Sequence, residues 1–276
     1  MTQFYPRWAG LTLDRPIIMG VLNVTPDSFS DGGRVSPDAA IAAGLTMRAD
    51  GADIVDVGGE STRPGADPVA LEEELGRVIP VIRALAEAGI LISVDTRGAA
   101  VMEAALDAGA TIVNDVSALT HDPDAAGLVA ERACPVILMH MRGTPATMMG
   151  LARYDDVTAE VLAEIRLRIA AAEQAGIARE AIAIDPGFGF AKHPRHSLTL
   201  LRQLDQLAEA GFPIVAGVSR KSFIGAIGGE QEAARRFPGS IAAGLFALTK
   251  GAAILRVHDV RQTMQAVKVW HALNSL

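Results

Sequence analysis

Residues 111–140 read TIVNDVSALTHDPDAAGLVAERACPVILMH and contain one complete strand–helix–strand unit. The apolar runs Thr111–Val113 and Val136–Met139 lack strict alternation of apolar and polar residues, which is typical of strands covered on both faces. Between them, Asp124–Glu131 is rich in alanine and other helix-forming residues and predicts a helix. This order of elements indicates two parallel strands joined by a helix.

The same unit recurs in both directions along the chain. Further strands are predicted at Ile17–Leu22, Asp53–Val57, Leu91–Val94, Ile182–Ile184, Ile214–Ala216 and Ala253–Arg256. Further helices are predicted at Pro37–Asp50, Leu71–Ala88, Ala99–Ala108, Asp156–Ala175, Ser197–Ala210, Ser240–Lys250 and Val260–Leu273. Ala-Gly pairs such as Ala88-Gly89 and Ala108-Gly109 indicate where helices end, because glycine adopts the left-handed conformation without steric cost.

Eight strands alternating with eight helices in 276 residues favour a closed (β/α)8 TIM barrel over an open doubly wound sheet. The units share no sequence, so the chain is not a recent repeat array. No proline- or serine-rich linker interrupts the pattern, and we therefore expect one domain over residues 1–276.

The composition and charge of the chain indicate which classes of binding partner are expected. Lysine and arginine number 25 against 32 aspartates and glutamates, and the resulting net charge of −7 argues against nucleic acid as a partner. The single cysteine, Cys134, excludes an internal disulfide and indicates a reducing compartment. The sequence has neither an apolar run of membrane-spanning length nor the pattern of a secretion signal. We therefore expect a cytoplasmic protein that does not bind membranes.

Polar side chains follow the predicted strands where each strand ends. In a β/α barrel these ends meet at one rim, where the chemistry of such folds takes place. Each residue also has a purely structural interpretation. Asp95, Asp115 and Asp259 are all placed to cap helices, Asn114 is a possible turn residue, and His140 in an apolar strand end is expected to be a hydrogen-bonded core histidine. Because polar residues recur in all eight units, we predict an active site at the C-terminal ends of the strands.

One group of these residues suits a planar heterocycle that is rich in hydrogen-bond donors. Asp95, Asn114 and Asp185 offer carboxylates and an amide. The ring N–H and amino group of a 2-amino-4-oxopyrimidine match one carboxylate in bidentate fashion. Lys221 is placed to donate to the carbonyl oxygen on the far side of such a ring.

A second group is cationic. Arg63, Arg256 and His258, together with Asn23, predict an anion site that takes a diphosphate. Asn23 and the diphosphate would hold Mg²⁺ with several waters. The sequence contains no nucleophile elbow, no phosphate-binding P-loop motif, no CxxC and no His/Cys zinc cluster, so we expect neither a covalent nucleophile nor zinc chemistry.

Two long segments resemble signatures of the dihydropteroate synthase family. Met19–Gly33, read as MGVLNVTPDSFSDGG, resembles the first signature, and Asp56–Gly65, read as DVGGESTRPG, resembles the second. Shorter matches follow in the family's order: SVDT at 93–96, ND at 114–115, LMHM at 138–141, DPGFGF at 185–190, SRKS at 219–222 and RVHD at 256–259. The resemblance extends from about Pro16 to the C-terminal helix.

This resemblance implies a β/α barrel transferase of folate biosynthesis. Such an enzyme joins 6-hydroxymethyl-7,8-dihydropterin diphosphate to 4-aminobenzoate, forms 7,8-dihydropteroate and pyrophosphate, and uses Mg²⁺. The family also suggests a homodimer, and its aminobenzoate site binds sulfonamide drugs.

The matching motifs assign each candidate residue a role by resemblance. The pterin ring would be held by Asp95, Asn114, Met139, Asp185, Phe190 and Lys221. The diphosphate would be held by Asn23, Thr62, Arg63, Arg256 and His258, with Asn23 also the metal ligand. Aminobenzoate would be held by Phe29, Thr62, Pro64, Phe190 and Ser222. Catalysis would depend on Asp95, Lys221 and Arg256.

Other interpretations stay open at this stage. A methyltransferase acting on methyltetrahydrofolate shares the acidic and amide contacts to the pterin, but has no use for a diphosphate cluster. A catalytically idle pterin-binding subunit would not need Arg63, Lys221, Arg256 and His258 together. A phosphate-binding barrel with unrelated chemistry is compatible with the fold alone.

Overall fold

Eight parallel strands close into a barrel in the order in which they occur along the chain. The computed structural model describes residues 7–25, 30–31, 34–62, 65–66 and 68–274. The barrel strands are β1 Ile17–Asn23, β2 Ile54–Gly58, β3 Ile92–Asp95, β4 Ile112–Asp115, β5 Val136–Met139, β6 Ile182–Asp185, β7 Ile214–Ala216 and β8 Ala252–Val257. The prediction of a TIM barrel is confirmed, and every predicted strand lies within two residues of an observed one.

Helices surround the barrel. They are α1 Pro37–Ala49, α2 Leu71–Glu87, α3 Ala99–Asp107, α4 Ala125–Arg132, α5 Val157–Gln174, α6 Pro194–Arg202, α7 Leu204–Leu207, α8 Ser222–Gly228, α9 Phe237–Thr249 and α10 Val260–Asn274. Turns of 3₁₀ helix occur at Met148–Leu151, Arg179–Ala181, Ala208–Ala210 and Ala233–Arg236. Within the described residues, no helix is long and apolar enough to cross a membrane.

Two predicted helices begin three residues earlier in the structure, and one short helix was not predicted. The helix expected over Ser240–Lys250 begins at Phe237. The helix expected over Ser197–Ala210 begins earlier, because Pro194 occupies its first turn, and it is divided at Gln203, where φ is −108°. The short helix α8 was not predicted, because its sequence SFIGAIG has only seven residues and carries two glycines. The predicted Ala-Gly ends hold, since Gly89 and Gly109 have φ of +73° and +112°.

The strands carry two layers of inward-facing side chains because residues two apart share one face of a strand. The lower layer is apolar and is formed by Ile17, Met19, Ile54, Ile112, Ile137, Ala183, Val215 and Ile254. The intervening residues, such as Val55, Val113 and Leu255, pack outward against the helices in a separate core. Two residues beyond Ile54, Ile112, Ala183 and Ile254 lie Asp56, Asn114, Asp185 and Arg256. The polar layer at the C-terminal rim therefore rests on an apolar floor.

A hairpin that the sequence did not predict packs against the other end of the barrel. Arg7–Trp8 pairs antiparallel with Leu11–Thr12, and the Trp8 side chain is buried against the lower apolar layer. The indole Nε1 of Trp8 donates to the carbonyl oxygen of Ala181, 2.9 Å away, just before β6. This contact satisfies the only polar atom of the ring at an otherwise apolar position.

The outer core depends on large apolar side chains between neighbouring helices. Leu85 of α2 is completely buried, and its Cδ1 would lie 2.7 Å from a Cβ built at Gly44 of α1. Gly44 thus lets α1 approach α2 closely enough for Leu85 to fill the space between them.

We predict that Leu85→Ala lowers the free energy of unfolding by about 2–5 kcal/mol, because it leaves a cavity that the packed helices cannot close. The matched control is Leu167→Ala on α5, where the side chain is 66% exposed. That control should change stability by less than about 0.5 kcal/mol. Urea unfolding measures both variants, and equal losses would contradict this account of the core.

Candidate active site

The polar layer brings together side chains from five strands that are far apart in the sequence. Asp56 of β2, Asp95 of β3, Asn114 of β4 and Asp185 of β6 are all at most 9% exposed. Register pairs Gly58 with Asp95 and Asp95 with Asn114, which aligns the ends of β2, β3 and β4. The sequence predicted the convergence of Asp95, Asn114 and Asp185, and the barrel places all three in this layer.

Arg256 of β8 joins two carboxylates across the barrel. Its Nε donates to Oδ2 of Asp56 at 2.6 Å, and its Nη2 donates to Oδ2 of Asp95 at 2.5 Å. The same Asp56 oxygen accepts from Nδ2 of Asn114 at 3.1 Å. The sequence predicts Arg256 as a diphosphate residue, and the structure shows that it also contacts Asp95, one of the carboxylates predicted for the heterocycle.

Asp56 is a site residue that sequence analysis did not select, although it lies within the second signature. Its carboxylate is fully buried and holds both Arg256 and Asn114. The signal was present in the sequence, since Asp56 is an acid two residues after Ile54 in an otherwise apolar strand. A buried acid in such a strand needs a partner of opposite charge.

The electrostatics of the layer follow from two buried carboxylates facing one guanidinium. Burial raises the pKa of Asp95 to about 7; Arg256 opposes this shift and the nearby Asp56 adds to it. Burial disfavours the charge of Arg256, but Asp56 and Asp95 outweigh that cost and raise the pKa of Arg256. Within the described part of the chain, Oδ1 of Asp56 and Oγ of Ser93 have no hydrogen-bond partner. The layer therefore keeps unused hydrogen-bonding capacity.

Asp185, Phe190 and Lys221 form the opposite side of the site. Oδ1 of Asp185 accepts from the backbone N–H of Gly187 at 2.7 Å. A Cβ built at Gly217 would lie 3.2 Å from Oδ2 of Asp185, so glycine at that position keeps the second oxygen uncovered. Burial raises the pKa of Asp185, and Lys221 and Arg256 act in the opposite direction. Nζ of Lys221 lies 4.2 Å from the ring centroid of Phe190, in cation–π contact.

The remaining predicted residues border this layer or lie outside the described residues. Asn23 ends β1, Met139 ends β5, and Ser222 begins α8. Nδ1 of His258 lies 3.0 Å from Oγ of Ser219, beyond the end of β8. Thr62 follows β2 in a half-buried position. Phe29, Arg63 and Pro64 lie outside the described residues.

The structure decides which of the strand-end residues have the purely structural roles considered for them. Asp95 does not cap α3, because the N-cap of that helix is Gly98. Asp115 accepts from the backbone N–H groups of Ser117 and Leu119 and so stabilises its own turn. Asp259 pairs with Arg220 through two hydrogen bonds of 3.1 and 2.6 Å. The prediction that His140 is a hydrogen-bonded core histidine is confirmed, since both of its ring nitrogens have partners.

A metal site made by the protein alone is not found among the described residues, where no three His, Cys, Asp or Glu side chains converge to hold an ion. Asn23 offers one amide oxygen at the rim. This donor set fits a hard cation such as Mg²⁺, which keeps several waters and binds mainly to phosphate oxygens of a ligand.

Known proteins are similar to this chain in both sequence and fold. Residues 19–258 match the family described as pterin binding enzyme. The dihydropteroate synthase of Neisseria meningitidis serogroup C is 50% identical over 266 residues, which are 95% of this chain and 94% of that protein.

Two solved structures from Xanthomonas albilineans are similar over nearly the whole chain. Dihydropteroate synthase with 4-aminobenzoic acid has a TM-score of 0.92 and 50% identity, covering 97% of each chain. The complex with 7,8-dihydropteroate has a TM-score of 0.88 and 47% identity, covering 96% of each chain.

We predict that Asp95 makes stability fall as pH rises through the weakly acidic range. An unfolded aspartate has a pKa near 3.9, whereas that of folded Asp95 is about 7, so the folded state binds the extra proton between these values. Asp95→Asn removes this loss, and its free energy of unfolding should decline less than that of the wild type between about pH 4 and 7.

The control for this measurement is Asp205→Asn, since the Asp205 side chain is 58% exposed and pairs only with Lys250 in the described chain. Urea unfolding at several pH values compares the three proteins. Parallel curves for Asp95→Asn and the wild type would show that Asp95 is ionised throughout this range.

Proposed function

We infer that this chain, which belongs to the dihydropteroate synthase family, condenses 6-hydroxymethyl-7,8-dihydropterin diphosphate with 4-aminobenzoate to give 7,8-dihydropteroate and pyrophosphate. It is a transferase. The observation that carries this assignment is the buried acceptor layer of Asp95, Asn114 and Asp185 at the C-terminal rim of the barrel. That layer matches a donor-rich heterocycle and lies where barrel enzymes hold their substrates.

We propose that the pterin ring lies between this layer and Lys221. Asp185 has one carboxylate oxygen beside Gly217 and is placed to accept from the ring N–H and the amino group. Asn114 and Asp95 would bind the remaining polar edge, Lys221 would donate to the carbonyl oxygen, and Met139 and Phe190 would line the faces of the ring. Complementary acceptors in a buried site reject rings that lack these donors, because unpaired buried carboxylates are costly.

The diphosphate would lie beyond the pterin, toward the ends of β1 and β8. Arg256 and His258 are two residues apart at the end of β8, and Asn23 ends β1. Thr62 and Arg63 would approach from the loop after β2. Mg²⁺, when bound by Asn23 and the diphosphate, would neutralise the negative charge that develops on the leaving group.

The reaction breaks the bond between the pterin methylene carbon and the diphosphate oxygen. The amine nitrogen of 4-aminobenzoate forms the new bond to that carbon and loses one proton. No covalent enzyme intermediate is required, because Arg256 and His258 would stabilise the departing charge. The site residues therefore act by binding and electrostatics, in agreement with the lack of a nucleophile elbow in the sequence.

Aminobenzoate would bind on the outer side of the pterin, against Phe190, Ser222 and Thr62, with Phe29 and Pro64 completing the site. The Xanthomonas albilineans relative is seen with both 4-aminobenzoic acid and 7,8-dihydropteroate, which supports adjacent sites for the two substrates. We expect a sulfonamide, as an analogue of aminobenzoate, to compete for this position.

The direct test mixes the purified protein with Mg²⁺, the dihydropterin diphosphate and 4-aminobenzoate and detects dihydropteroate by mass spectrometry. Product that depends on both substrates and on Mg²⁺ is expected. Pterin binding without product would favour an idle pterin-binding subunit. Methyl transfer from methyltetrahydrofolate would identify the protein as a methyltransferase.

We predict that Asp185→Asn weakens binding of the dihydropterin diphosphate by about tenfold or more, because the amide presents a donor where two acceptors are needed. Isothermal calorimetry measures this affinity. Asp205→Asn removes an exposed acid on the outside of the barrel and should bind like the wild type. An unchanged affinity in Asp185→Asn would exclude Asp185 as the pterin-binding carboxylate.

We also propose a homodimer, as the family suggests, and infer that it forms through α9 and α10. Their apolar side chains line one continuous groove, and Val269 and Leu273 are 58% and 70% exposed. The other residues that line the groove are Phe237, Ile241, Leu245, Gln262, Gln265, Ala266 and Trp270. Exposed apolar patches of this kind mark interaction surfaces, and a second copy would cover the same face symmetrically.

We expect Val269→Glu to convert the dimer to a monomer, because it places a charge in the apolar groove. The control is Leu167→Glu on α5, where a leucine is equally exposed but lies on another face of the barrel. Light scattering gives the mass of each protein in solution. A wild-type monomer, or a Val269→Glu dimer, would place the interface elsewhere or remove it.

A further inference from the structure

A buried lysine lies near the end of the loop that follows β6. Lys192 is 2% exposed, and it follows the segment that carries Asp185 and Phe190. Its Nζ lies 2.8 Å from Nδ1 of His140 and donates to the carbonyl oxygen of Phe190 at 3.0 Å. Buried ammonium groups are costly, so a lysine in this place calls for a structural or functional reason.

The partners of His140 determine which way this hydrogen bond runs. Nε2 of His140 lies 3.0 Å from Oε2 of Glu164, and Glu164 is also paired with Arg142. The hydrogen bond from His140, together with Arg142, lowers the pKa of Glu164 to about 2, so Glu164 is an anion that accepts from Nε2. Burial lowers the pKa of His140 to about 4, so the ring is neutral and its Nδ1 accepts from Lys192.

The loop after β6 is pressed onto the end of β5 at the same point. Gly187 has φ of +68°, and a Cβ built there would lie 2.0 Å from the carbonyl oxygen of His140. The backbone N–H of His140 donates to the carbonyl oxygen of Asp185 at 2.9 Å. Lys192 holds the far end of this loop through Phe190, whose ring lies beneath Lys221. One ammonium group thus helps to position both Asp185 and Phe190.

Lys192 also contributes charge to the site. Asp185 is buried, and the cations acting on its carboxylate are Lys221, Arg256 and Lys192. Burial lowers the pKa of Lys192 to about 7, while Asp185 and Glu164 favour its charged form and Arg142 and Lys221 disfavour it. Lys192 and Asp185 therefore each favour the ionised form of the other.

We propose that Lys192 is a positioning residue for pterin recognition, which fixes the Asp185–Phe190 segment through its hydrogen bonds to His140 and Phe190 and supplies positive charge that favours the ionised Asp185 carboxylate. The inference rests on the proposed function, because it concerns the same pterin pocket. Lys192 acts through Asp185 and Phe190, and in the described part of the chain its Nζ hydrogen-bonds to Nδ1 and the carbonyl oxygen of His140 and to the carbonyl oxygen of Phe190.

The test compares Lys192→Met with the wild type by calorimetry, with the dihydropterin diphosphate and Mg²⁺, between about pH 5.5 and 8.5. Methionine keeps the length of the side chain and removes its charge. We expect binding about tenfold weaker at neutral pH. The weakening of binding at acid pH should also begin at a higher pH, since Asp185 is protonated more easily without Lys192. In steady-state assays, KM for the pterin substrate should rise while kcat changes much less.

Two comparisons separate this role from general damage to the fold. In the Asp185→Asn background, Lys192→Met should cause a smaller loss than in the wild type, because the carboxylate is absent and only the contact to Phe190 is removed. Lys250→Met is the matched control, since Lys250 pairs with exposed Asp205 on the outside of the barrel. The proposal is overturned if Lys192→Met binds like Lys250→Met, or if it costs the same affinity in both backgrounds.

A second pair of variants covers the case in which Lys192→Met does not fold. His140→Gln retains an acceptor for the ammonium group and should keep most of the pterin affinity, whereas His140→Leu removes the acceptor and should lose it. Equal affinities in these two variants would overturn the proposal. If the wild type itself neither binds the pterin substrate nor forms product, it is the proposed function that fails.

Discussion

The Arg256 guanidinium makes the two ion pairs on which the site depends. Inside the barrel rim it links β8 to Asp56 on β2 and to Asp95 on β3. These two residues are separated from Arg256 by 200 and 161 positions in the chain. Asp56 and Asp95 are buried while Arg256 is partly buried, so removal of Arg256 leaves two buried acids without their cation, at a cost of about 3–5 kcal/mol. Burial raises the pKa of Asp95 and the neighbouring Asp56 adds to that shift, and the two carboxylates leave acceptor capacity for a donor-rich ligand.

Because the interior of the barrel is layered, these charged side chains can lie together without destabilising the fold. The apolar layer below them, with residues such as Ile54, Ile112 and Ile254, supplies the burial that stabilises the barrel. The polar layer is one step higher on the same strands, because alternate residues share a face. The barrel can therefore change its chemistry at the rim without changing the apolar residues on which the rim rests.

On the β6 side of the site, several hydrogen bonds and one close backbone contact fix the loop that carries Asp185 and Phe190. Gly187 allows the loop to touch the carbonyl oxygen of His140, and Lys192 ties the carbonyl oxygen of Phe190 to the same histidine. Glu164 and Arg142 extend this network outward and fix the tautomer of His140. Asp185 is thus held from the strand, the loop and the layer beneath, which is the preorganisation that a site acting by binding requires.

The sequence by itself determined the barrel and the rim on which the site lies, because the periodicity of strands and helices is a local property of the sequence. The order of the motifs along the chain also identified Asp95, Asn114 and Asp185 as members of one set. It also showed a family resemblance that the comparisons confirm. Only the tertiary structure decided that Arg256 pairs with Asp56 and Asp95, that Asp115 stabilises its own turn, and that Lys192 is buried against His140 and Phe190. These pairings join residues from 2 to 200 positions apart. These pairings depend on the closure of the barrel and on the conformation of each side chain inside it. Neither property produces a periodic signal in the sequence.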